Sequence, residues 1–172
     1  MPTMLERALS LFRIDFAPAH RQPSALRIGI ATVSSIGGSL LADALLVALG
    51  TALFPSTKGY AHFHFDDYAR LTVIGVVIAC VAWPIVTRIT TSPKWLFLRL
   101  AVLVTLVLFA PDLWLLSKGQ PAKAVGVLMA MHLAIALVTY NALVRIAPVK
   151  VRPATSGPGS SDQSTIPLRS PS

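Results

Sequence analysis

The sequence predicts an all-α fold, a four-helix transmembrane bundle, from three observations. The mean hydropathy is +0.67, and 54% of the 172 residues are hydrophobic. Only 13% are charged, whereas about 25% of the residues in a soluble domain are charged. Long apolar runs recur along the chain with basic residues at their ends. A soluble core of this length could not bury so much apolar surface.

Four segments are predicted to span the membrane: residues 28–53, 71–87, 96–117 and 124–144. A helix needs about 20 apolar residues to cross a bilayer. Each span must be helical, because an unpaired backbone group in lipid is costly. Proline removes an internal hydrogen bond, so the third span is expected to kink or stop at Pro111. The four spans together predict one membrane domain over residues 26–147.

The distribution of Lys and Arg predicts that both termini are cytoplasmic. Eleven of these residues lie before the first span, between the second and third, or after the fourth. The other two loops carry four. Basic residues accumulate on the cytoplasmic side of a membrane protein. Residues 54–70 and 118–123 are therefore expected to lie outside.

The two terminal segments are expected to contribute little to the core. Residues 1–25 are predicted to be a cytoplasmic segment, either a short amphipathic helix on the membrane surface or a partly ordered tail. Apolar residues recur at helical spacing within it: Leu5, Leu9, Phe12 and Phe16. Residues 148–172 are rich in Pro, Ser and Gly, which predicts a disordered cytoplasmic tail.

The composition excludes several classes of function. The net charge of +8 does not indicate a nucleic-acid-binding protein, because the basic residues form no patch with interleaved aromatic residues. Cys80 is the only cysteine, so an internal disulfide and a CxxC motif are impossible, and we expect a small buried hydrophobic residue there. No P-loop, G-x-S-x-G, G-x-G-x-x-G or H-E-x-x-H pattern occurs. The sequence gives no positive case for an enzyme.

Four motifs occur over residues 66–147: Ala82-Trp83, Trp95, Pro111 and Met131-His132-Leu133. Through these motifs this part of the chain resembles a family of small four-helix membrane proteins of unknown function from actinobacteria. The resemblance implies the four-helix fold and a bacterial inner (plasma) membrane, and it implies no activity. Trp83 and Pro84 are interpreted as an interfacial tryptophan and a tolerated kink, with a hinge as the alternative.

Ionisable side chains inside a span are costly, so each one is a candidate functional residue. Three occur: Asp43 in the first span, Asp112 in the third and His132 in the fourth. At 1.5 Å per residue they lie about 8–12 Å from the outer surface, where they could form one polar cluster. Asp43 is either a protonatable carboxylate in a cavity or part of a packing seam, bonded to His132, a serine or water.

The other two residues also have two or more readings. Asp112 either belongs to a proton relay or begins a new helical turn after Pro111 as an N-cap. His132 is a proton shuttle, a haem ligand or a packed histidine. No other span carries a histidine, so haem with two histidine ligands from one chain is not expected. We predict no cofactor.

Small and polar residues recur at helical spacing in the first span. The polar stripe consists of Thr32, Ser35, Ser39 and Asp43, and the ridge beside it of Ser34, Gly38 and Ala42. Such a face lets another helix approach closely. We therefore predict a helix-packing seam at Ser35, Gly38, Ser39 and Ala42.

The stretch HFHFDD, residues 62–67, is expected in the outer loop before the second span. In an extended chain, Phe63 and Phe65 point to lipid while the two histidines face water. Asp66 or Asp67 is then placed to cap the second span. The alternative is an outward-facing metal or redox site, formed by His62, His64, Asp66 and Asp67.

These observations leave three hypotheses of function. The first is a non-catalytic structural or accessory membrane subunit. The second is a small proton-coupled transporter that uses Asp43 with His132. The third is the metal or redox site at His62 and His64. The expected partners are the lipid bilayer and either a second copy of the chain or another membrane protein.

Overall fold

A computed structural model describes residues 20–151, and it consists of four helices. Helix α1 is Ala25–Leu53, α2 is Phe65–Ile89, α3 is Pro93–Ser117 and α4 is Ala122–Ile146. Two 3-10 turns, Pro55–Thr57 and Ala61–Phe63, lie between α1 and α2. The predicted all-α four-helix bundle is therefore confirmed.

Each of the four helices is long and apolar enough to cross a membrane. Large apolar side chains lie exposed along all of them, for example Leu26, Leu71, Val107 and Leu137. Hydrocarbon can cover such a surface, whereas water cannot do so without a large free-energy cost. The structure thus supports a multi-pass membrane protein.

The helices extend beyond the predicted spans, most of all at the start of α2. This helix begins at Phe65 rather than at residue 71, and Asp66 and Asp67 lie in its first turn. Helix α3 continues through Pro111 to Ser117, so the expected stop does not occur there. Prolines are tolerated in membrane helices, because neighbouring groups satisfy the backbone oxygen that they free.

Both ends of the described chain lie at the same end of the bundle, here called the terminal end. There β1, His20–Arg21, pairs antiparallel with β2, Lys150–Val151. The Gln22 side chain accepts a hydrogen bond from the Thr87 hydroxyl at 2.7 Å, which ties the entry segment to α2. Residues 54–64 and 118–121 form the opposite end, called the loop end.

Trp83 closes the core at the terminal end. It is fully buried, and its indole Nε1 donates to the carbonyl of Ala147 at 3.0 Å. Its ring meets Phe97 edge to face, with centroids 5.0 Å apart. The bundle therefore encloses the Trp83 ring, which does not face lipid; its level relative to the membrane surface stays a prediction. Cys80 is also buried in this core, as the sequence predicted.

Helix α4 is the central helix, since its packing against the other three is the most extensive in the bundle, above all against α1. Glycines allow the closest approach of α1 to α4. A Cβ at Gly38 would lie 2.9 Å from Val138 Cγ1, and one at Gly50 would lie 2.7 Å from Val127 Cγ2. These pairs also fix the two helices as antiparallel.

Most of the predicted terminal segments lies outside the described residues. The amphipathic helix within residues 1–25 and most of the disordered tail over 148–172 fall there. Within the predicted tail, Lys150–Val151 is a short strand that pairs with β1 through its backbone.

Replacing Gly38 by leucine is expected to destabilise the bundle by about 1–3 kcal/mol, because the new side chain overpacks the contact with Val138. Gly75→Leu is the matched control, since a Cβ at that helical glycine meets nothing within 4 Å. Thermal unfolding of the purified variants in detergent, followed by circular dichroism, gives the comparison. Equal melting temperatures would contradict the close approach of α1 and α4.

Candidate functional site

Asp112 and His132 form a hydrogen-bonded pair between α3 and α4. The His132 Nδ1 lies 3.0 Å from Asp112 Oδ2. Asp112 is buried, and Phe109 lies edge-on to the imidazole at a centroid distance of 6.5 Å. The interpretation of Asp112 as an N-cap is wrong, because it lies inside α3.

Asp43 is fully buried and bonds to a residue that the sequence did not indicate. Its Oδ2 accepts a hydrogen bond from the Thr72 hydroxyl at 2.7 Å, which joins α1 to α2. Its Oδ1 has no hydrogen-bond partner among residues 20–151. The sequence interpretation considered His132, a serine or water as the partner. The signal that could have identified Thr72 is depth, since both residues lie about 10–15 Å from the loop end of their helices.

His132 interacts with both carboxylates. It is bonded to Asp112, and it lies near enough to Asp43 for an electrostatic interaction. The three ionisable residues thus occupy one region of the bundle, as their estimated depths suggested. They do not share one hydrogen-bond network: Asp112 bonds to His132, whereas Asp43 bonds to Thr72.

The loop between α1 and α2 lies near the Asp112–His132 pair. Both His62 and Tyr60 interact electrostatically with Asp112. Burial raises the pKa of the Tyr60 hydroxyl, and the negative charge of Asp112 raises that pKa further. In the part of the chain that the structure describes, the buried Tyr60 hydroxyl has no hydrogen-bond partner. The rings of His62 and Phe63 pack edge-on against the Tyr60 ring, with centroid distances of 5.3 and 5.2 Å respectively.

The HFHFDD stretch is turned rather than extended. Residues Ala61–Phe63 form a 3-10 turn, and His64 is the N-cap residue of α2. Neither carboxylate caps the helix with its side chain, so that part of the prediction is wrong. Asp66 and Asp67 lie in the first turn, where the partial positive charge of the helix N-terminus favours a carboxylate.

No metal-binding cluster forms within residues 20–151. No three His, Cys, Asp or Glu side chains are grouped there so that they could hold a metal ion. This applies to the four residues His62, His64, Asp66 and Asp67, and equally to Asp43, Asp112 and His132. The hypothesis of an outward-facing metal or redox site therefore has no ligand geometry to support it.

The seam predicted on the first span is divided between the interior and the surface of the bundle. Ser35 and Ser39 are fully buried, while Gly38 and Ala42 are half-buried, with Gly38 against α4. Ser34 is exposed, so the small-residue ridge does not face one partner helix along its whole length. Within residues 20–151, the hydroxyls of Ser39 and of Thr139 on α4 have no hydrogen-bond partner. The Ser35 hydroxyl lies beside the Cys80 thiol.

Comparisons of the chain with protein-family models, with curated proteins and with solved structures find no match. The arrangement of the site itself therefore carries the functional argument.

A double-mutant cycle on Asp112 and His132 is expected to show coupling of about 0.5–3 kcal/mol, because the two side chains are in direct contact. Each single change to leucine should lower the free energy of unfolding by about 1–3 kcal/mol, since it leaves the other polar group buried without its partner. The double variant should lose less than the sum.

The control cycle combines Asp112→Leu with His64→Leu. His64 is exposed, and within residues 20–151 it shares neither a hydrogen bond nor an electrostatic interaction with Asp112, so these two effects should add. Chemical unfolding in mixed micelles measures all the variants. Additive losses for Asp112 and His132 would contradict a direct hydrogen bond between the two side chains.

Proposed function

We propose that this chain is a non-catalytic structural or accessory subunit of a bacterial plasma membrane. The observation that carries the proposal is the use of the buried polar groups as links between helices. Asp112 with His132 joins α3 to α4, and Asp43 with Thr72 joins α1 to α2. Hydrogen bonds between membrane helices stabilise and orient a bundle, because lipid offers no competing partners.

The resemblance to small actinobacterial membrane proteins supports a location in the bacterial plasma membrane. We also propose that the chain belongs to that family. The motif residues Trp83 and His132 both make contacts that hold the bundle together, with Ala147 and Asp112 respectively. Such contacts fit a family whose shared residues maintain a fold.

The charge at the two ends supports cytoplasmic termini. Among residues 20–151, the terminal end carries seven basic residues and no acidic one: Arg21, Arg27, Arg88, Lys94, Arg99, Arg145 and Lys150. The loop end carries Lys58, Arg70, Lys118 and Lys123, together with Asp66 and Asp67. The positive-inside rule then assigns the terminal end to the cytoplasm.

An accessory subunit needs a surface that a partner can contact, and the outer face of α1 offers one. A shallow, mostly apolar groove covers its first three turns, lined by Ala25, Leu26, Gly29, Ile30, Val33 and Ser34. A Cβ at Gly29 would meet nothing within 4 Å, so a helix backbone has room to approach. We propose that a second copy of the chain packs α1 against this face.

Cysteine labelling in a Cys80→Ser background tests the orientation. Ser56→Cys at the exposed loop end should react with a membrane-impermeant maleimide in intact cells, because that end faces outside. Thr91→Cys at the terminal end should react only after the membrane is permeabilised. The reverse pattern would overturn the assignment of the ends.

Disulfide cross-linking in the same background tests the partner surface. Ser34→Cys should give a species of twice the monomer mass in native membranes, because Ser34 lies in the groove of both copies. Val104→Cys, which is exposed on α3, is the control and should remain monomeric. An adduct of a different mass would show that the partner at this face is another membrane protein and not a second copy of the chain. The absence of any adduct at Ser34 would contradict a docking role for this face.

A further inference from the structure

The four helices each contribute one polar side chain to a group that is linked through His132. His132 Nδ1 on α4 lies 3.0 Å from Asp112 Oδ2 on α3, and His132 also interacts electrostatically with Asp43 on α1. Asp43 Oδ2 in turn accepts a hydrogen bond from the Thr72 hydroxyl on α2 at 2.7 Å. These four side chains are together called the His132 group.

The charges within the His132 group do not balance. Asp43 and Asp112 are two carboxylates, whereas His132 can carry only one positive charge. When both carboxylates are ionised, at least one net negative charge therefore remains in the interior of the bundle. Such a charge is costly there, because both aspartates are buried and lipid surrounds the helices. Binding of one additional proton removes this net charge.

Side chains at the loop end connect the His132 group to water. His62 is exposed, and it interacts electrostatically with Asp112. Tyr60 interacts with Asp112 as well, and Tyr68, near the start of α2, interacts with Asp43. Together with His132, these are the titratable groups that act on the two carboxylates from the loop and from the neighbouring helices. The charge of the group is thus coupled to side chains that water can reach.

The opposite direction is closed by apolar side chains. Val76, Trp83 and Leu143 are almost completely buried, and each lies nearer to the terminal end than the member of the His132 group on its own helix. Water does not enter a closely packed apolar core. A proton therefore has a route from the loop end to the His132 group, whereas the terminal end is sealed from it.

We propose that the His132 group is a proton-binding site that exchanges with the loop end alone. A proton from the water at that end binds to the group and is later released to the same side. The inference goes beyond the accessory role and does not depend on it. It lets a subunit of any function respond to the pH on one side of the membrane.

Carbodiimide labelling in liposomes tests the proposal. Dicyclohexylcarbodiimide reacts with a protonated carboxyl in apolar surroundings. Full-length protein with Ser56→Cys in the Cys80→Ser background is reconstituted, and an impermeant maleimide marks the molecules whose loop end faces outward. Trypsin cleavage after Arg27 and Lys58 gives a peptide that contains both position 56 and Asp43, its only side-chain carboxyl. Mass spectrometry of this peptide therefore reports the orientation and the labelling of the same molecule.

The labelling of Asp43 should follow the pH at the loop end. With the inner pH held constant, a higher outer pH should slow the labelling of marked molecules, by about tenfold per pH unit once the group is mostly deprotonated. Unmarked molecules in the same sample should follow the inner pH instead. Labelling that follows the pH at the terminal end, or that is the same at every pH, would overturn the proposal.

One variant tests the link through His132. His132→Gln should keep Asp43 labelled up to a higher outer pH, because it removes a positive charge that favours the ionised carboxylate. His64→Gln is the matched control, since His64 is exposed and, within residues 20–151, interacts with neither carboxylate. Asp43→Asn should remove the adduct, which verifies the site of labelling. Equal pH profiles for the two histidine variants would contradict the link.

Infrared spectroscopy covers the case in which the reagent does not reach Asp43. The absorption of a protonated carboxyl should fall as the pH rises, and Asp43→Asn or Asp112→Asn should remove one component of that change. Such a component supports the site without an adduct. A protein that shows neither an adduct at Asp43 nor a component that one of these variants removes would overturn the proposal.

Discussion

The close packing of α1 against α4 is the contact on which the rest of the structure depends. Apolar surface drives little association between helices in lipid, so the helices must gain from tight packing and from polar contacts. Gly38 and Gly50 supply the tight packing, because Val138 and Val127 occupy the space where their side chains would be. This approach buries the polar face of α1, and it places Asp43 near His132.

Much of the fold could be predicted from the sequence, because a membrane helix is encoded by a run of about 20 apolar residues and little else. Hydropathy failed at the start of α2, where Asp66, Asp67 and Arg70 are charged but the helix has already begun. The charges mark where an apolar span ends rather than where a helix ends. The continuation of α3 through Pro111 was missed for a related reason, since the effect of proline depends on its neighbours.

The candidate site was only partly predictable. Depth along each helix follows from counting residues, so Asp43, Asp112 and His132 could be assigned to one region. The choice of hydrogen-bond partner depends on the rotation of each helix about its axis, which one sequence does not specify. For this reason the sequence did not indicate Thr72 as the hydrogen-bond partner of Asp43. The burial of Trp83 was missed for the same reason, because its position near a helix end does not reveal which way the ring points.

The pairing of His20–Arg21 with Lys150–Val151 has a consequence for whatever binds the two ends of the chain. Residues 20 and 151 are paired across this sheet, so they offer two attachment points side by side at the end of the bundle. Two binding groups joined to these points would be at a high effective concentration with respect to each other. A protein that contacts both groups would gain avidity without any new contact to the bundle.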